Sequence, residues 1–380
     1  MRDIVILGST GSIGVQALEI VDENPTLFRV VALTSTGKNP SAIIDQARKY
    51  SVSVVGVTTN ADAIREALPN ITVIDGPQAS VEIAAITCDV VLNAITGSIG
   101  LGPTLSALKA GNRVALANKE SLVAGGELVM KLAKPDQLIP VDSEHSAIWQ
   151  SMMAGKKDEV SRLILTASGG PFRERPDLSS VTVEDALAHP TWSMGPVVTV
   201  NSATLLNKGL EIIEAHYLFD LPYSKIDAVI HPQSVIHSMV EYIDGSTIAQ
   251  ASPPNMKGPI AYAINWPHRV AKATPPIDWT QSHSWNFSPI DVARFPAISL
   301  ARSCGDAGGS MPTIFNAANE SFVAAFLGRK IAFTSIIEGV EKVVSNLAGD
   351  SHSVRDINDV SAIEQNARVM ADSIIKEMVV

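Results

Sequence analysis

The sequence predicts an α/β protein, with a doubly wound parallel sheet at the N-terminus, a central α+β region and a C-terminal helical region. Three observations carry this. Short, β-branched, nearly uncharged runs alternate with helical patterns through the first part of the chain, as a parallel sheet covered on both faces requires. A glycine-rich turn, Gly8-Ser9-Thr10-Gly11-Ser12-Ile13-Gly14, separates the first run from the first helical stretch. After Pro296 the apolar residues keep helical spacing. A chain of 380 residues exceeds one ordinary core and calls for two or three domains. The expected division is 1–141, 142–272, a linker at 273–296, and 297–380.

The predicted strands of the first part are Ile4–Leu7, Val30–Leu33, Val54–Val57, Val90–Ile95, Val114–Ala117 and Leu138–Val141, with helices such as Val15–Asn24 and Pro103–Ala110 between them. From about Asp142 the pattern changes. A strand at Leu163–Thr166 leads into glycines, and an amphipathic helix is expected from about Ala203 to Leu218. Val235–Tyr242 and Ser246–Ala251 flank Asp244-Gly245, a hairpin-type pair. Residues 273–296 hold Pro275, Pro276, Pro289 and Pro296 with Trp279, Trp285 and Phe287, and read as an extended linker pinned by its aromatics. Helices are expected over Pro312–Phe326, Thr334–Asn346 and Val360–Glu377.

The net charge is −10 and no Lys/Arg run is present, so nucleic acid is not an expected partner. No apolar stretch approaches the ~20 residues of a membrane span, and the run Ile4–Leu7 is too short for a signal peptide. Cys88 and Cys304 are isolated, which argues against disulfides and thiolate zinc and fits a reducing cytoplasm.

The glycine turn follows a strand and opens a helix. Its spacing is GxxGxxG, but the physics is that of the common GxGxxG loop. Glycines let the backbone approach a pyrophosphate, and helix N-terminal amides meet it. Ser9, Thr10 and Ser12 add hydroxyls. The second strand ends Leu33-Thr34-Ser35-Thr36-Gly37-Lys38-Asn39, without the acid that binds the ribose of NAD. Hydroxyls, a glycine and a lysine suit a 2′-phosphate instead, so the expected cofactor is NADPH.

Two later strands run into polar clusters, Asn118-Lys119-Glu120-Ser121 and Asp142-Ser143-Glu144-His145. Ligands bind beyond the carboxyl ends of such strands. Asp142 and Glu144 are two apart, and a strand-like backbone would aim both the same way, towards a hard divalent cation. The competing reading is an N-cap acid followed by a first-turn acid. Farther on, Asn207, Lys208 and Glu211 share one face of the predicted helix. Glu211 would complete a three-carboxylate site, or would form an exposed pair with Lys208. Glu214 lies on the same stripe, and spacing does not choose between the two acids.

Ser168-Gly169-Gly170-Pro171-Phe172 offers backbone amides in an anion nest, or is a plain glycine turn. With Ser202, Asn207 and Lys208 it would hold a phosphate. His189-Pro190-Thr191-Trp192-Ser193-Met194-Gly195 reads as a lid over an apolar ring, or as loop aromatics packing on the core. His231 and His237 read as structural hydrogen-bonders.

The runs GSTGSIG (8–14), GKN (37–39), LANKESLV (116–123), PVDSEHSAI (140–148), SGGPF (168–172), HPTWSMG (189–195), NSATLLNKGLEIIEA (201–215), HPQSVIHS (231–238) and NAANE (316–320) resemble the 1-deoxy-D-xylulose 5-phosphate reductoisomerase family across nearly the whole chain. The resemblance implies a homodimeric cytoplasmic enzyme with an N-terminal Rossmann-like NADPH domain, a central catalytic and dimer-forming domain and a C-terminal helical domain. It implies NADPH and a divalent metal (Mg²⁺, Mn²⁺ or Co²⁺) as cofactors and 1-deoxy-D-xylulose 5-phosphate as substrate. The product is 2-C-methyl-D-erythritol 4-phosphate, in the non-mevalonate isoprenoid pathway.

By the same resemblance, Asp142, Glu144 and Glu211 match the metal ligands, and Lys119 and Glu120 join them as catalytic residues. Lys119, Ser143, Glu144, Ser168, His189, Ser202, Asn207, Lys208 and Glu211 match substrate contacts. Of these, Ser168, His189, Ser202, Asn207 and Lys208 lie at the phosphate end. Thr10, Gly11, Ser12, Ile13, Gly37, Lys38, Asn39, Asn118, Glu120 and Gly195 match NADPH contacts, and Trp192 and Met194 the lid. The family reaction rearranges a ketose phosphate, by a retro-aldol/aldol or an α-ketol route, and reduces the resulting aldehyde. Two other classes remain as alternatives: an NADP-dependent semialdehyde or hydroxy-acid dehydrogenase, which needs no metal, and a non-catalytic NADPH sensor.

Overall fold

The computed structural model describes residues 1–379. The chain forms two compact units, each taken by itself below. The first comprises Met1–Ser121, Val129–Ser146 and Asn255–Pro276; the second comprises Leu122–Leu128, Ala147–Pro254 and Ile277 onward. Residues 255–272, expected in the central part, and 273–276, expected in the linker, thus return to the first unit. Among the described residues no helix is long and apolar enough to cross a membrane.

The first unit is built on seven strands: β1 (Arg2–Leu7), β2 (Phe28–Ser35), β3 (Val54–Val57), β4 (Thr72–Asp75), β5 (Val90–Asn93), β6 (Arg113–Leu116) and β7 (Leu138–Pro140). They form one sheet in the order β4-β3-β2-β1-β5-β6-β7, every pair parallel. The order runs outward in both directions from the β1–β5 pair, which is the signature of a doubly wound sheet. Ile4, Val5, Ile6, Leu7, Leu33, Val55 and Leu92 are essentially sealed from water, each contributing about 1.5–3 kcal/mol of burial. This explains why their runs are apolar without alternation. β4 escaped sequence reading because it is an edge strand with exposed ends, Thr72 and Asp75, and so lacks a long apolar run.

At the switch point the chain leaves β1 through Gly8, whose φ is +79°. A Cβ there would lie 2.7 Å from the Ala94 carbonyl oxygen beyond β5. Only glycine lets the two strand ends come this close.

The second unit holds a mixed five-stranded sheet. Its strands are β8 (Val160–Ala167), β9 (Ile226–Ile230), β10 (Ile236–Tyr242), β11 (Thr247–Ala251) and β12 (Ser288–Pro289), in the order β11-β10-β8-β9-β12. β8 pairs parallel with β9 and antiparallel with β10, and β10 and β11 form the predicted hairpin around Asp244-Gly245. β12 lies inside the expected linker and pairs with β9, while Phe287 stacks on His231 at 4.5 Å. The linker is therefore pinned, though Trp279 is itself exposed and packs on Trp285.

The helix expected from about Ala203 to Leu218 is Leu206–Phe219, and a shorter helix, Pro196–Ala203, precedes it unanticipated. They break at Leu205, whose φ of +60° is an unfavourable value for a bulky side chain. No glycine or proline marks the break, so periodicity alone missed it.

The C-terminal helices are Ala297–Ala307, Met311–Leu327, Ser335–Leu347 and Ile357–Met378. The first falls in the stretch expected to be helical, without a span of its own; the others match their predicted spans within a few residues. Helices Met311–Leu327 and Ser335–Leu347 approach closely at Gly339, where a Cβ would fall 2.0 Å from the Phe322 ring. Gly339→Ala is expected to destabilise this region by about 1–3 kcal/mol through overpacking. Thermal unfolding checks this, and an unchanged midpoint contradicts it.

Candidate active site

The first unit holds the glycine turn and the polar clusters that follow its strands. The glycine turn is folded back on β2: Gly8 N and Ser9 N both donate to the Thr34 carbonyl, at 3.0 and 2.8 Å. Ser9 is fully buried, donates its hydroxyl to Gln46 Oε1 at 2.7 Å and receives Gln46 Nε2 on its carbonyl at 3.0 Å. Its hydroxyl is therefore structural, which corrects the expectation that it faces a ligand. Thr10 and Ile13 are half-buried, and Gly11 and Ser12 are exposed. The helix Ser12–Glu23 starts at Gly11 with no side-chain cap and no acid in its first turn. Its N-terminal amides and positive dipole end are thus open to an anion.

The second turn follows β2. Thr36, Lys38 and Asn39 are exposed, and no acid stands there. Gly37 (φ +76°) is pressed against the neighbouring turn, where a Cβ would meet the Thr59 carbonyl oxygen at 2.2 Å. Asn60 Nδ2 holds the Gly37 carbonyl at 2.9 Å, and the Thr59 hydroxyl holds that of Thr36 at 2.8 Å. The turn is thereby fixed with Lys38 and Asn39 pointing into solvent, as recognition of a 2′-phosphate requires.

Beyond β6, the Asn118 side chain is wholly buried. Its Nδ2 donates to the Ile95 and Gly97 carbonyls at 2.7 and 2.8 Å and to Glu120 Oε2 at 2.9 Å, and its Oδ1 accepts from Ser121 N and Oγ. It latches the loops after β5 and β6, so any contact from Asn118 to a cofactor runs through its backbone. Lys119 Nζ lies 2.7 Å from Asp142 Oδ2.

Asp142 directly precedes the helix Ser143–Met152. Its Oδ1 accepts from Glu144 N and faces His145 Nδ1, both at 3.2 Å. The backbone from Asp142 to Glu144 is thus a helix start that Asp142 caps, the N-cap reading of the two weighed in the sequence and not the strand-like one. Burial works to raise the Asp142 pKa, but the Lys119 charge and the His145 bond outweigh it and hold the carboxyl well below its usual range. Ser143 Oγ donates to Glu144 Oε2 at 2.5 Å. Sequence reading missed the His145 contact; its signal was the three-residue offset from an N-cap acid.

The second unit contains Asn207, Lys208 and Glu211. Asn207 Nδ2 and Lys208 Nζ both donate to the Glu211 carboxylate, on the first turn and a half of Leu206–Phe219. Lys208 and Glu211 are 3% and 1% exposed, so the pair is buried, not the solvated surface pair weighed above. A buried carboxylate so paired is costly to maintain for stability alone. Glu214 is buried as well.

After β8, Gly169 and Gly170 take φ +82° and +62°, two consecutive left-handed residues. A Cβ on Gly170 would be 2.9 Å from the Ser202 carbonyl oxygen, so the turn sits against the end of Pro196–Ala203. Ser168 Oγ accepts from Gly170 N at 3.2 Å and faces His189 Nε2 at 3.0 Å.

His189 Nδ1 accepts from Thr191 N at 3.1 Å and Trp192 N at 2.9 Å. Its Nε2 therefore carries the proton and donates to Ser168, leaving the serine proton directed elsewhere. The imidazole folds the first turn of the 189–195 loop and ties it to Ser168, a role not evident in the sequence. Trp192 and Met194 are half-buried, and Trp192 packs edge-on to His237 at 6.1 Å. Gly195 is the exposed N-cap of Pro196–Ala203. His231 Nε2 accepts from Val235 N and Ile236 N, both at 3.1 Å, and His237 Nε2 lies 3.2 Å from the Ser252 carbonyl.

Burial lowers the His189 pKa, and the nearby Arg173 charge adds to this. A protonated Nδ1 cannot accept the two loop amides. Because the folded value lies below the unfolded one, His189 contributes stability above the ordinary histidine range of about 6.5 that is lost as pH falls through the folded value. Trp192 emission is expected to shift as pH is lowered through and below the ordinary histidine range, and His189→Gln to flatten that change. An identical pH profile in the variant contradicts this.

Family models described as the 1-deoxy-D-xylulose 5-phosphate reductoisomerase domain, the reductoisomerase C-terminal domain and the DXP reductoisomerase C-terminal domain match residues 4–126, 138–219 and 251–370. The chain is 52% identical to the 1-deoxy-D-xylulose 5-phosphate reductoisomerase of Streptomyces coelicolor, over 94% of this chain and 89% of that protein. It is also 52% identical to that of Corynebacterium efficiens, over 99% and 98%. Among solved structures it is similar to the Zymomonas mobilis reductoisomerase in complex with NADPH, at TM-score 0.92 and 39% identity over 99% of each chain. A DOX-P reductoisomerase bound to NADPH, fosmidomycin and magnesium aligns at TM-score 0.92 and 35% identity, over 99% of this chain and 98% of that one.

Proposed function

This chain belongs to the 1-deoxy-D-xylulose 5-phosphate reductoisomerase family, and on that footing we propose how its residues divide the work. The enzyme uses NADPH and a divalent metal to convert 1-deoxy-D-xylulose 5-phosphate into 2-C-methyl-D-erythritol 4-phosphate. The observation that carries the reading is the buried Asn207–Lys208–Glu211 cluster, in the same unit as the two-glycine turn after β8. A semialdehyde dehydrogenase or a sensor has no use for it.

The residues present suit both cofactors. The uncapped helix after Gly11 fits a pyrophosphate, with Thr10, Gly11, Ser12 and Ile13 around it, and Gly37, Lys38 and Asn39 fit the adenosine phosphate. Asn118 (by its backbone), Glu120 and Gly195 are the proposed contacts nearer the nicotinamide. Asp142, Glu144 and Glu211 are the proposed metal ligands. Each is a hard oxygen donor, and Asp142 is held ionised, as a hard divalent ion needs. A bound metal would supply Lewis acidity to the substrate oxygens that gain negative charge, and NADPH would supply the hydride.

The chain's own groups do the rest. Lys119 screens Asp142 and, with Glu120, orients protons near the reacting oxygens. Ser143 positions the Glu144 carboxylate through its 2.5 Å bond. Ser168 offers its hydroxyl proton to the substrate phosphate, joined by the Gly169–Gly170 amides, Ser202, Asn207 and Lys208. His189, held neutral, keeps Ser168 oriented and the loop folded. Trp192 and Met194 close over the site and exclude water from the reactive fragments.

The functional division we propose is NADPH binding by 1–141 and catalysis with dimer formation by 142–272, followed by the linker 273–296 and helical region 297–380. The exposed edge strand β11, with Ile248 at its surface, is the proposed homodimer contact. Free Cys88 and Cys304 are consistent with a cytoplasmic setting.

The test is product analysis with NADPH carrying deuterium at the transferred position. A branched product that retains one deuterium supports the reading. Reduction without skeletal rearrangement sinks it in favour of a plain dehydrogenase.

A further inference from the structure

The segment that leads into the C-terminal helices reaches back to the anion turn. Asp291 folds a tight turn there: its carboxylate accepts from Ala293 N and Arg294 N, each at 3.2 Å, and its carbonyl from Phe295 N at 2.9 Å. Arg294 leaves this turn half-buried and lies over the Phe295 ring at 5.0 Å. Its two terminal nitrogens donate to consecutive backbone carbonyls, Nη1 to Arg173 at 2.9 Å and Nη2 to Phe172 at 2.5 Å. The fork of a guanidinium suits two adjacent acceptors in a way a lysine cannot match.

Phe172 is held from its other end as well. Its ring is 3% exposed and packs edge-on to Phe333 at 5.1 Å, which in turn meets Phe326 at 5.6 Å. Between Phe172 and the left-handed Gly170 stands only Pro171, whose ring fixes φ. Gly169 and Gly170 have little conformational preference of their own, so the amides of the Ser168–Gly170 turn are aimed by whatever holds the turn's flanks. On one flank, Ser168 is tied to His189. On the other flank, the tie is Arg294 and the Phe172 ring.

We propose that Arg294 is a positioning residue for substrate-phosphate binding: by clamping the Phe172 and Arg173 carbonyls it holds the Ser168–Gly170 turn in its anion-binding shape. This rests on the reading of that turn as the phosphate end. It assigns the segment before the C-terminal helices a part in substrate affinity, exerted without touching substrate. The guanidinium is committed to carbonyls, so it acts on KM for the phosphorylated substrate and leaves the hydride and metal chemistry alone.

The test uses the full-length enzyme with NADPH and Mg²⁺, comparing Arg294→Ala and Arg294→Lys with the parent. The readouts are kcat, KM for each substrate, and the inhibition constant of inorganic phosphate against 1-deoxy-D-xylulose 5-phosphate. Arg294→Ala is expected to raise the sugar-phosphate KM and the phosphate inhibition constant together, by about tenfold. Its kcat should stay within about twofold and KM for NADPH should be unchanged. Arg294→Lys, which reaches one carbonyl but not both, should fall between; if the alanine variant does not fold, this variant decides the matter. Unchanged KM and inhibition constant overturn the proposal, as does an equal loss of kcat and NADPH affinity, which marks general disorder. Ser168→Ala, run alongside, separates the two readings. No shift there overturns the assignment of the turn, and this proposal with it. A shift in Ser168→Ala with none at Arg294 overturns only the role of Arg294.

Discussion

Glu211→Gln is expected to lower kcat by about a thousandfold or more, since a divalent ion contributes several kcal/mol to stabilising charge on the reacting oxygens. Glutamine keeps the shape and one oxygen but loses the charge a hard cation needs. The same change removes a partner of Lys208 in a cluster only 1–3% exposed. Breaking such a buried pair costs stability of about 3–5 kcal/mol, so lost activity alone would be ambiguous. The double variant Lys208→Met/Glu211→Gln removes both charges and is expected to recover much of the thermal stability and none of the activity. The glycine turn and the turn after β2 are built without Glu211, so NADPH binding, followed by the fluorescence of the bound nicotinamide, should survive in both. Loss of NADPH binding in the folded double variant would count against the assignment of Glu211 as a metal ligand.

Gly14→Ala should produce the complementary defect. Gly14 is the third glycine of the turn and is buried in the helix Ser12–Glu23. A Cβ there would fall 2.5 Å from both the Gly8 carbonyl oxygen and Ser9 Cα. Neither is a flexible side-chain end, so the helix must move off the turn. A strain of about 2 kcal/mol, typical of overpacking, corresponds to ~30-fold weaker NADPH binding if it falls on the anion-binding amides. KM for NADPH should rise accordingly while the metal requirement stays as in the parent. An unchanged KM for NADPH would show that the turn does not carry the cofactor.

The parts of this structure legible in the sequence are those whose local chemistry is self-contained. Fully buried parallel strands announce themselves as continuous apolar runs, and β1, β2, β3, β5, β6 and β7 all fall within a few residues of their expected places. The glycine turn and the missing acid after β2 are local backbone and charge requirements, and both stand where expected. What failed depended on tertiary context. β4 is half-exposed and lacks a run. The short helix Pro196–Ala203 ends at Leu205, a residue with no intrinsic reason to take positive φ. The acids Asp142 and Glu144 were found through a strand-like spacing, yet the backbone there begins a helix. Of the two readings weighed there, the backbone follows the N-cap one. Burial also bears on what spacing had left open: the Lys208–Glu211 pair, for which an exposed surface pair was one of two readings, is sealed in the fold. Arg294 left no sequence signal at all, because its partners are backbone carbonyls more than a hundred residues away.

The most direct measurement is the decay of NADPH absorbance with purified protein and 1-deoxy-D-xylulose 5-phosphate, first after chelation and then with Mg²⁺ or Mn²⁺ restored. The account predicts no oxidation in the chelated enzyme and full oxidation on adding metal. Oxidation that proceeds equally without metal, or its absence in a protein that binds both NADPH and metal, would contradict it.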